Sequence, residues 1–337
     1  MRKMYFAVLL LLSLALLLSS SSVSASTTNS TNLTTNQVNN AAGTVESYVE
    51  TNHKIPVNVT ISGKKVSTAQ FLELSTTAVL NIDNNSNKTI VLRNYKSASS
   101  PTENITGGFI SYDEYMAIAK NIKSYMDSTG QAPNYEISSQ GKIRYESLVY
   151  MYSQILDSYN KNKVLPDYIA LTPWSVVSNK NTMFYSANQV INASKRVKSF
   201  IEMNHKLPDY ITISGNQINM PQFLELLTTS LINIDGNFYA SIAVGSYKKA
   251  VNPVETVKKG YMDKLEYLEV AHNIRNFMDR YGQAPNYAQS GLGKIRFESL
   301  VYMYSNILNY YNLNGDLPEN TLVQSWKAIS DLKKVNP

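Results

Sequence analysis

Two stretches of this chain place basic, acidic and aromatic side chains at the same short spacing: GKIRYESLVYMYSQIL at residues 141–156 and GKIRFESLVYMYSNIL at residues 293–308. Lys142, Arg144, Glu146 and Tyr150 lie off the apolar Leu148/Met151/Ile155 face, and Lys294, Arg296, Glu298 and Tyr302 repeat them. A planar guanidinium fork, a carboxylate and an aromatic ring suit a ligand with hydroxyls, amides and carboxylates. Glu146 and Tyr150 are spaced to share one helix face. Lys142 and Arg144 fall in the expected entry turn of that helix, where outward backbone N–H groups favour an anion. These eight residues form the candidate ligand-binding set, with Tyr135 and Tyr287 as secondary candidates. The alternative is that the charges pack against a neighbouring helix, so that the near-identity records packing and a recent duplication.

Other chemistry finds no footing. Cysteine is absent, which excludes disulfides, thiolate metal sites and a cysteine nucleophile. The three histidines, His53, His205 and His272, show no metal-ligand spacing. His53 and His205 are repeat equivalents at an expected helix C-terminus, where an imidazolium can meet the terminal carbonyls. Glu73/Glu225 and Glu146/Glu298 recur as pairs. None has a carboxylate partner at helical spacing on its own face, so a solvated or ion-paired surface role is expected rather than glycosidase chemistry. Phosphate loops and a G-x-S-x-G elbow are missing. The expectation is a non-enzyme with no catalytic residues, no metal and no cofactor. Tyrosine stands out instead, 24 against 9 phenylalanines, and it supplies rigid amphipathic contact area.

The formal net charge is +6 and includes Arg2 and Lys3. The remaining excess, about +4, is spread without a basic run, which argues against nucleic acid and allows an anionic partner. Arg2 and Lys3, an apolar run from Tyr5 to Leu18 and the small residues Val23 and Ala25 read as a secretory signal peptide over residues 1–25. The apolar run is short for a span, and no second one follows, so no membrane span is expected after signal removal. Residues 26–40, STTNSTNLTTNQVNN, read as a Ser/Thr/Asn linker. Seven N-x-S/T sequons, the first at Asn29, fit an exported protein.

The elements that must position the candidate set come in tandem copies. Pro133 and Pro285, Trp174 and Trp326, His53 and His205, and FLEL at 71 and 223 are each 152 residues apart. A weaker internal repeat divides each half, giving four units of about 75–77 residues with marker prolines at 56, 133, 208 and 285. Each unit reads as helix, turn with proline, short extended piece, helix. Val190, Ala193, Val197 and Ile201 give the first helix its period. Ile211 and Ile213 before Ser214-Gly215 suggest a small hairpin or single strand. Ser67-x-x-Gln70 resembles a capping box, and Asn219 with Pro221 opens the equivalent helix. The fold class is therefore mainly α with minor β: tandem helical repeats in two similar lobes, residues 41–178 and 185–332. Trp174 and Trp326 are expected to plug the lobe ends.

The pattern in VKSFIEMNHKLPDYITISGNQINMPQFLELL and IRNFMDRYGQAPNYAQSGLGKIRFESLVYM resembles the pseudomurein-binding repeat. The likeness runs from about Val45 to Trp326. The first unit departs most, with Val57-Asn58-Val59 in place of Asp-Tyr-Ile. The resemblance implies an exported protein of methanogenic archaea that holds non-covalently to wall polymer, a glycan cross-linked by peptides. Related endoisopeptidases carry such repeats beside a cysteine peptidase domain; with no cysteine, that activity does not carry over. The expected function is a secreted, surface-located wall-binding protein with several weak sites, its partner a pseudomurein-like glycan or its peptide, its oligomeric state undetermined. The alternative is an adhesin-like or structural protein whose repeats bind another protein.

Overall fold

In a computed structural model, the structure describes residues 32–331. The signal-peptide expectation and residues 26–31 of the expected linker lie outside the described residues. The rest of that tract is not a linker. Asn32–Leu33 form a short strand (β1), and a helix (α1, Thr35–Asn52) begins at once. Thr34 caps it, with its hydroxyl taking the Gln37 N–H while the Gln37 side chain takes the Thr34 N–H. Val38, Ala41, Ala42 and Val45 form its buried face. The Thr and Asn residues that mimic a disordered tract by composition are the cap and the wet side of this helix.

The first half continues with β2 (Asn58–Ile61), β3 (Lys64–Ser67), α2 (Thr68–Asp83), β4 (Ile90–Val91), β5 (Phe109–Ser111) and α3 (Tyr112–Thr129). It closes with β6 (Tyr135–Ser138), β7 (Gly141–Arg144), α4 (Tyr145–Asn162), β8 (Tyr168–Ala170) and the short α5 (Trp174–Val177). The second half repeats this order as β9 (Phe184–Tyr185), α6 (Ala187–Asn204), β10 (Tyr210–Ile213), β11 (Asn216–Asn219), α7 (Met220–Asp235) and β12 (Ile242–Ala243). It ends with β13 (Gly260–Asp263), α8 (Lys264–Tyr281), β14 (Tyr287–Ser290), β15 (Gly293–Arg296), α9 (Phe297–Asn314), β16 (Asn320–Val323) and α10 (Trp326–Ser330). Every helix of the second half starts 152 residues after its counterpart.

Six of these helices, α1, α3, α4, α6, α8 and α9, are 18 residues long and end in one way. The residue after each (His53, Gly130, Lys163, His205, Gly282 and Gly315) takes a left-handed conformation. Its N–H caps a carbonyl one turn back, as His53 does for Val49. Three residues later comes a proline (56, 133, 166, 208, 285 and 318), which cannot continue a helix, and a strand opens two residues beyond it. The smallest repeating unit is thus one helix, not two. His53 and His205 also reach outward: their Nδ1 atoms lie 3.0 Å from the Val177 carbonyl and 3.3 Å from that of Ile329, tying α1 to α5 and α6 to α10.

The extended pieces are hairpins: β2 with β3, β6 with β7, β10 with β11 and β14 with β15, all antiparallel. Ser62-Gly63 and Ser214-Gly215 turn two of them with both residues at positive φ, as the twist of a two-residue hairpin demands. Small ladders β1–β4, β5–β8, β9–β12 and β13–β16 close the helix ends. The capping box at Ser67/Gln70 forms as expected, and the Asn219 cap expected beside Pro221 proves to be a full box with Gln222. Helix α1 packs on α4 and α6 on α9, with α2 and α7 wedged beside them. The two cores follow the two halves, around Phe71, Leu148 and Tyr152 in the first and Phe223, Leu300 and Tyr304 in the second. Trp174 packs with Val49, Tyr150 and Val177 in a satellite cluster, and Trp326 lies half-buried against the second core.

The halves are joined by more than the chain. After α7, residues 236–241 of the second half insert into the first, before Ile242 and Ala243 return to pair with β9. Phe238 and Ala240 are buried in the first core. The Asn237 carbonyl accepts from Ser158 Oγ (3.2 Å) and Asn162 Nδ2 (3.0 Å), and the Gly236 carbonyl from the Asp167 N–H (2.9 Å). The His272 ring stands steeply inclined to those of Phe109 and Tyr168, at 5.0 and 6.0 Å between ring centres. The counterpart segment of the first half, residues 84–89 (NNSNKT), is polar: Ser86 and Lys88 stand where the second half has Phe238 and Ala240, and Asn87 and Lys88 are exposed.

Two stability outcomes are expected. Phe238→Ala empties a core position across the joint and should cost about 3–5 kcal/mol, read as a lower denaturant midpoint. Lys163 holds a left-handed φ of 63° where three other repeats use glycine. Lys163→Gly removes the Cβ clash and should gain about 1 kcal/mol, seen as a melting temperature a few degrees higher.

Candidate ligand-binding surface

The end of α3 and the following proline deliver the chain to hairpin β6–β7. Pairing sets Tyr135 opposite Arg144 and Ile137 opposite Lys142, so these four share the outer face, while Ile143 turns into the core. Lys142 Nζ sits 4.4 Å from the centre of the Tyr135 ring, a cation–π contact. Arg144 Nε and Nη2 grip both carboxylate oxygens of Glu146 at 2.7 and 3.1 Å. The second half repeats the set: Tyr287 opposite Arg296, Lys294 Nζ 4.3 Å from the Tyr287 ring, and Arg296 on Glu298 at 2.7 and 3.0 Å. Tyr135, Lys142, Arg144 and Glu146 are therefore one cluster, and Tyr287, Lys294, Arg296 and Glu298 another.

Three of the sequence expectations need correction. Lys142 and Arg144 do not sit in a helix entry turn: they lie on β7, and Arg144 is the residue before α4, whose N-terminus carries no side-chain cap. The shared helix face of Glu146 and Tyr150 does not put both on the surface. Tyr150 is only 2% exposed, because this side of α4 is the side that α1 covers. Its hydroxyl donates to Glu50 Oε1 at 3.0 Å, and burial pushes its pKa well up. Tyr302 does the same across α6 and α9, donating to Glu202 Oε1 at 3.0 Å while half-buried. Both tyrosines bind helix to helix and stand apart from the hairpin clusters.

The third correction concerns Glu73 and Glu225, which are buried rather than surface residues. Arg275 Nη1 lies 3.1 Å from Glu225, and its Nη2 lies 2.7 Å from Asp279. Tyr247 donates to Glu225 at 2.8 Å. Burial pushes Glu225 up to about 7 against the pull of Arg275. A cavity of about 50 Å³ between the halves is lined by Arg275, Asp279, Gly107 and Gln154. The first half carries the looser version, Glu73 with Lys123 (3.5 Å) and Lys123 with Asp127 (2.7 Å). Sequence reading passed over these pairs, although Lys123/Asp127 and Arg275/Asp279 repeat an i, i+4 charge pattern at the 152-residue offset. It also passed over Tyr210, which opens its hairpin as Tyr135 and Tyr287 open theirs and is exposed.

Among the described residues no group of three or more His, Asp and Glu is placed to hold a metal ion. None of the described helices is long and apolar enough to cross a membrane.

With this geometry in view, comparison with known families gives one result. The pseudomurein-binding repeat matches the chain at residues 106–135, 139–171 and 185–213. Each match covers a strand, one 18-residue helix and the proline turn or strand beyond it, so the family resemblance tracks the one-helix unit seen in the fold. No match to a curated protein was found.

The inner side of hairpin β6–β7 yields a pH prediction. Burial pushes Glu136 up to about 7, whereas its counterpart in the second half is Ala288. A carboxyl raised in the folded state binds its proton more tightly there than in the unfolded chain. Stability from this group is full below about pH 4.5, falls as pH rises towards 7 and is flat above. Glu136→Gln should abolish this fall and raise the melting temperature at pH 8, while changing little at pH 4. Melting curves across that range measure it.

Proposed function

We propose that the protein is an exported, non-catalytic wall-binding protein that holds pseudomurein-like polymer through several weak sites on one chain. The observation that carries this reading is the coincidence of the family matches with the structural unit. A repeat named for pseudomurein binding is matched three times in a row, each time on the helix and proline turn that deliver or follow the hairpins. The duplicated surface clusters support it. Tyr135 with Lys142, and Tyr287 with Lys294, offer a ring and a cation side by side on a rigid two-stranded edge. Such an edge suits a ligand with an anionic or amide group beside a flat apolar face. Arg144 and Arg296 are already engaged by Glu146 and Glu298, so they shape the cluster and contact ligand from the rim of their ion pairs.

Weak sites on one chain gain retention through effective concentration, so removing one should matter less than removing two. The test is binding of the purified chain to pseudomurein sacculi, comparing Arg144→Ala, Arg296→Ala and the double variant, with folding checked by circular dichroism. Each single variant is expected to weaken binding about threefold and the double variant tenfold or more. Wild-type chain left in the supernatant would refute wall binding. Capture by a protein in place of the wall would favour the adhesin-like reading. Soluble wall fragments should not be released on prolonged incubation, and their appearance would contradict the non-catalytic role.

A further inference from the structure

The six proline-ended helices do not all present the same surface. Phe200 lies four residues before the end of α6, and Tyr210 opens the strand after Pro208. Their side chains, with Pro208, Asp209, Ile211 and Arg196, line a cleft of about 400 Å³ between the helix and hairpin β10–β11. Arg196 is held at its rim by a bond from Nη2 to the Thr212 carbonyl at 2.8 Å. Tyr210 is 48% exposed. Arg196 and Phe200 come from the helix, so the cleft adds a helix wall to the outer hairpin face on which the tyrosine stands.

The ten-residue spacing between the two aromatics spans a fixed piece of structure: the last helical turn, the left-handed residue, the proline and the first strand residue. It therefore transfers to any repeat with the same ending. Tyr125, four residues before the end of α3, and Tyr135 occupy the two positions there, and Phe277 and Tyr287 occupy them at α8. The two helix members, Tyr125 at 42% and Phe277 at 37%, are exposed although aromatic. The other three repeats lack the pair. α1 offers Tyr48 and Asn58, and α9 offers Tyr310 and Asn320. α4 has Ser158 and Tyr168, both committed to the joint between the halves: Ser158 bonds Asn237, and Tyr168 packs on His272.

We infer that this aromatic pair, seen as a cleft at Phe200 and Tyr210, is a saccharide-ring site that recurs at Tyr125/Tyr135 and Phe277/Tyr287, giving three sites in six repeats. The inference rests on the wall-binding reading above and adds residues, number and ligand chemistry to it. Two aromatic faces and a proline offer flat apolar walls to the C–H face of a pyranose ring. The Tyr210 hydroxyl and the Asp209 carboxylate can pair with ring hydroxyls. The guanidinium of Arg196, with one N–H used on Thr212, has donors left for a carboxylate or acetamido oxygen.

The test removes only the helix members, which the wall-binding reading does not use. Full-length chain carrying Phe200→Ala, and the triple variant Tyr125→Ala/Phe200→Ala/Phe277→Ala, are measured for binding to purified pseudomurein sacculi, with circular dichroism as the folding check. The single change should weaken binding about threefold and the triple about thirtyfold or more. Phe200→Tyr should bind as wild type. Tyr168→Ala should lower the melting temperature and leave sacculus binding of the folded chain intact. Soluble glycan strands from the wall should compete, and the free cross-linking peptides should not. If wild type binds and folded Phe200→Ala and triple variants bind equally well, the inference is wrong and wall binding stands. Competition by the peptides alone would also overturn it. If wild type itself fails to bind, the wall-binding reading falls first.

Discussion

The fold depends on where its helices stop. A left-handed residue followed three positions later by proline ends six helices at the same length and turns the chain into a strand with one geometry. The hydrogen bonds of the last turn are satisfied by the cap, and the proline ring forbids a further turn. Because the stop is fixed, the distance from a helix residue to a hairpin residue is fixed as well. Side chains 16 residues from a hairpin residue in sequence, as Arg196 is from Thr212, are thereby brought within bonding distance of it. Only glycine adopts the stop without strain, and His53, Lys163 and His205 accept the strained form. In the two histidines the ring is used again, on the carbonyls of α5 and α10.

Once the endings are fixed, the halves are free to differ where they meet something. Lys123 and Asp127 lie on a half-exposed face in the first half, whereas Arg275 and Asp279 at the same positions are closed over by it. The exchange of Lys for Arg follows the change of environment. A guanidinium can bridge two carboxylates at once and is less strongly hydrated than an ammonium, so it suits the buried side. The hairpin clusters did not diverge in this way. Tyr135 with Lys142 and Tyr287 with Lys294 keep nearly the same separation, as do the two Arg–Glu forks.

Much of this was legible in the residues. The 152-residue period placed every counterpart, and apolar spacing with Ser67/Gln70 and Asn219/Pro221 located helices and their caps. Three things were not legible, each for a physical reason. Composition marked residues 32–40 as a tract because the same Thr and Asn residues that favour disorder also cap and solvate a helix end. The period of a helix puts Glu146 and Tyr150 on one side, but which side another helix covers is a tertiary fact, and α1 covers Tyr150. Glu73 and Glu225 looked solvated because their cations come from a different helix, 50 residues along the chain. The resemblance to a wall-binding repeat was carried by the end of one helix, the proline turn and the opening of the next helix together, a pattern that spans local signals only.

The inserted loop gives the molecule a direction. The second half donates Phe238 and Ala240 and the first half receives them, while the first half has Ser86 and Lys88 at those two places. A duplication of identical halves would have produced two donors or none. The joint therefore dates the divergence of the two loops to after the copying event and makes the order of the halves irreversible: exchanged in the chain, they would present a polar loop to an apolar socket and come apart.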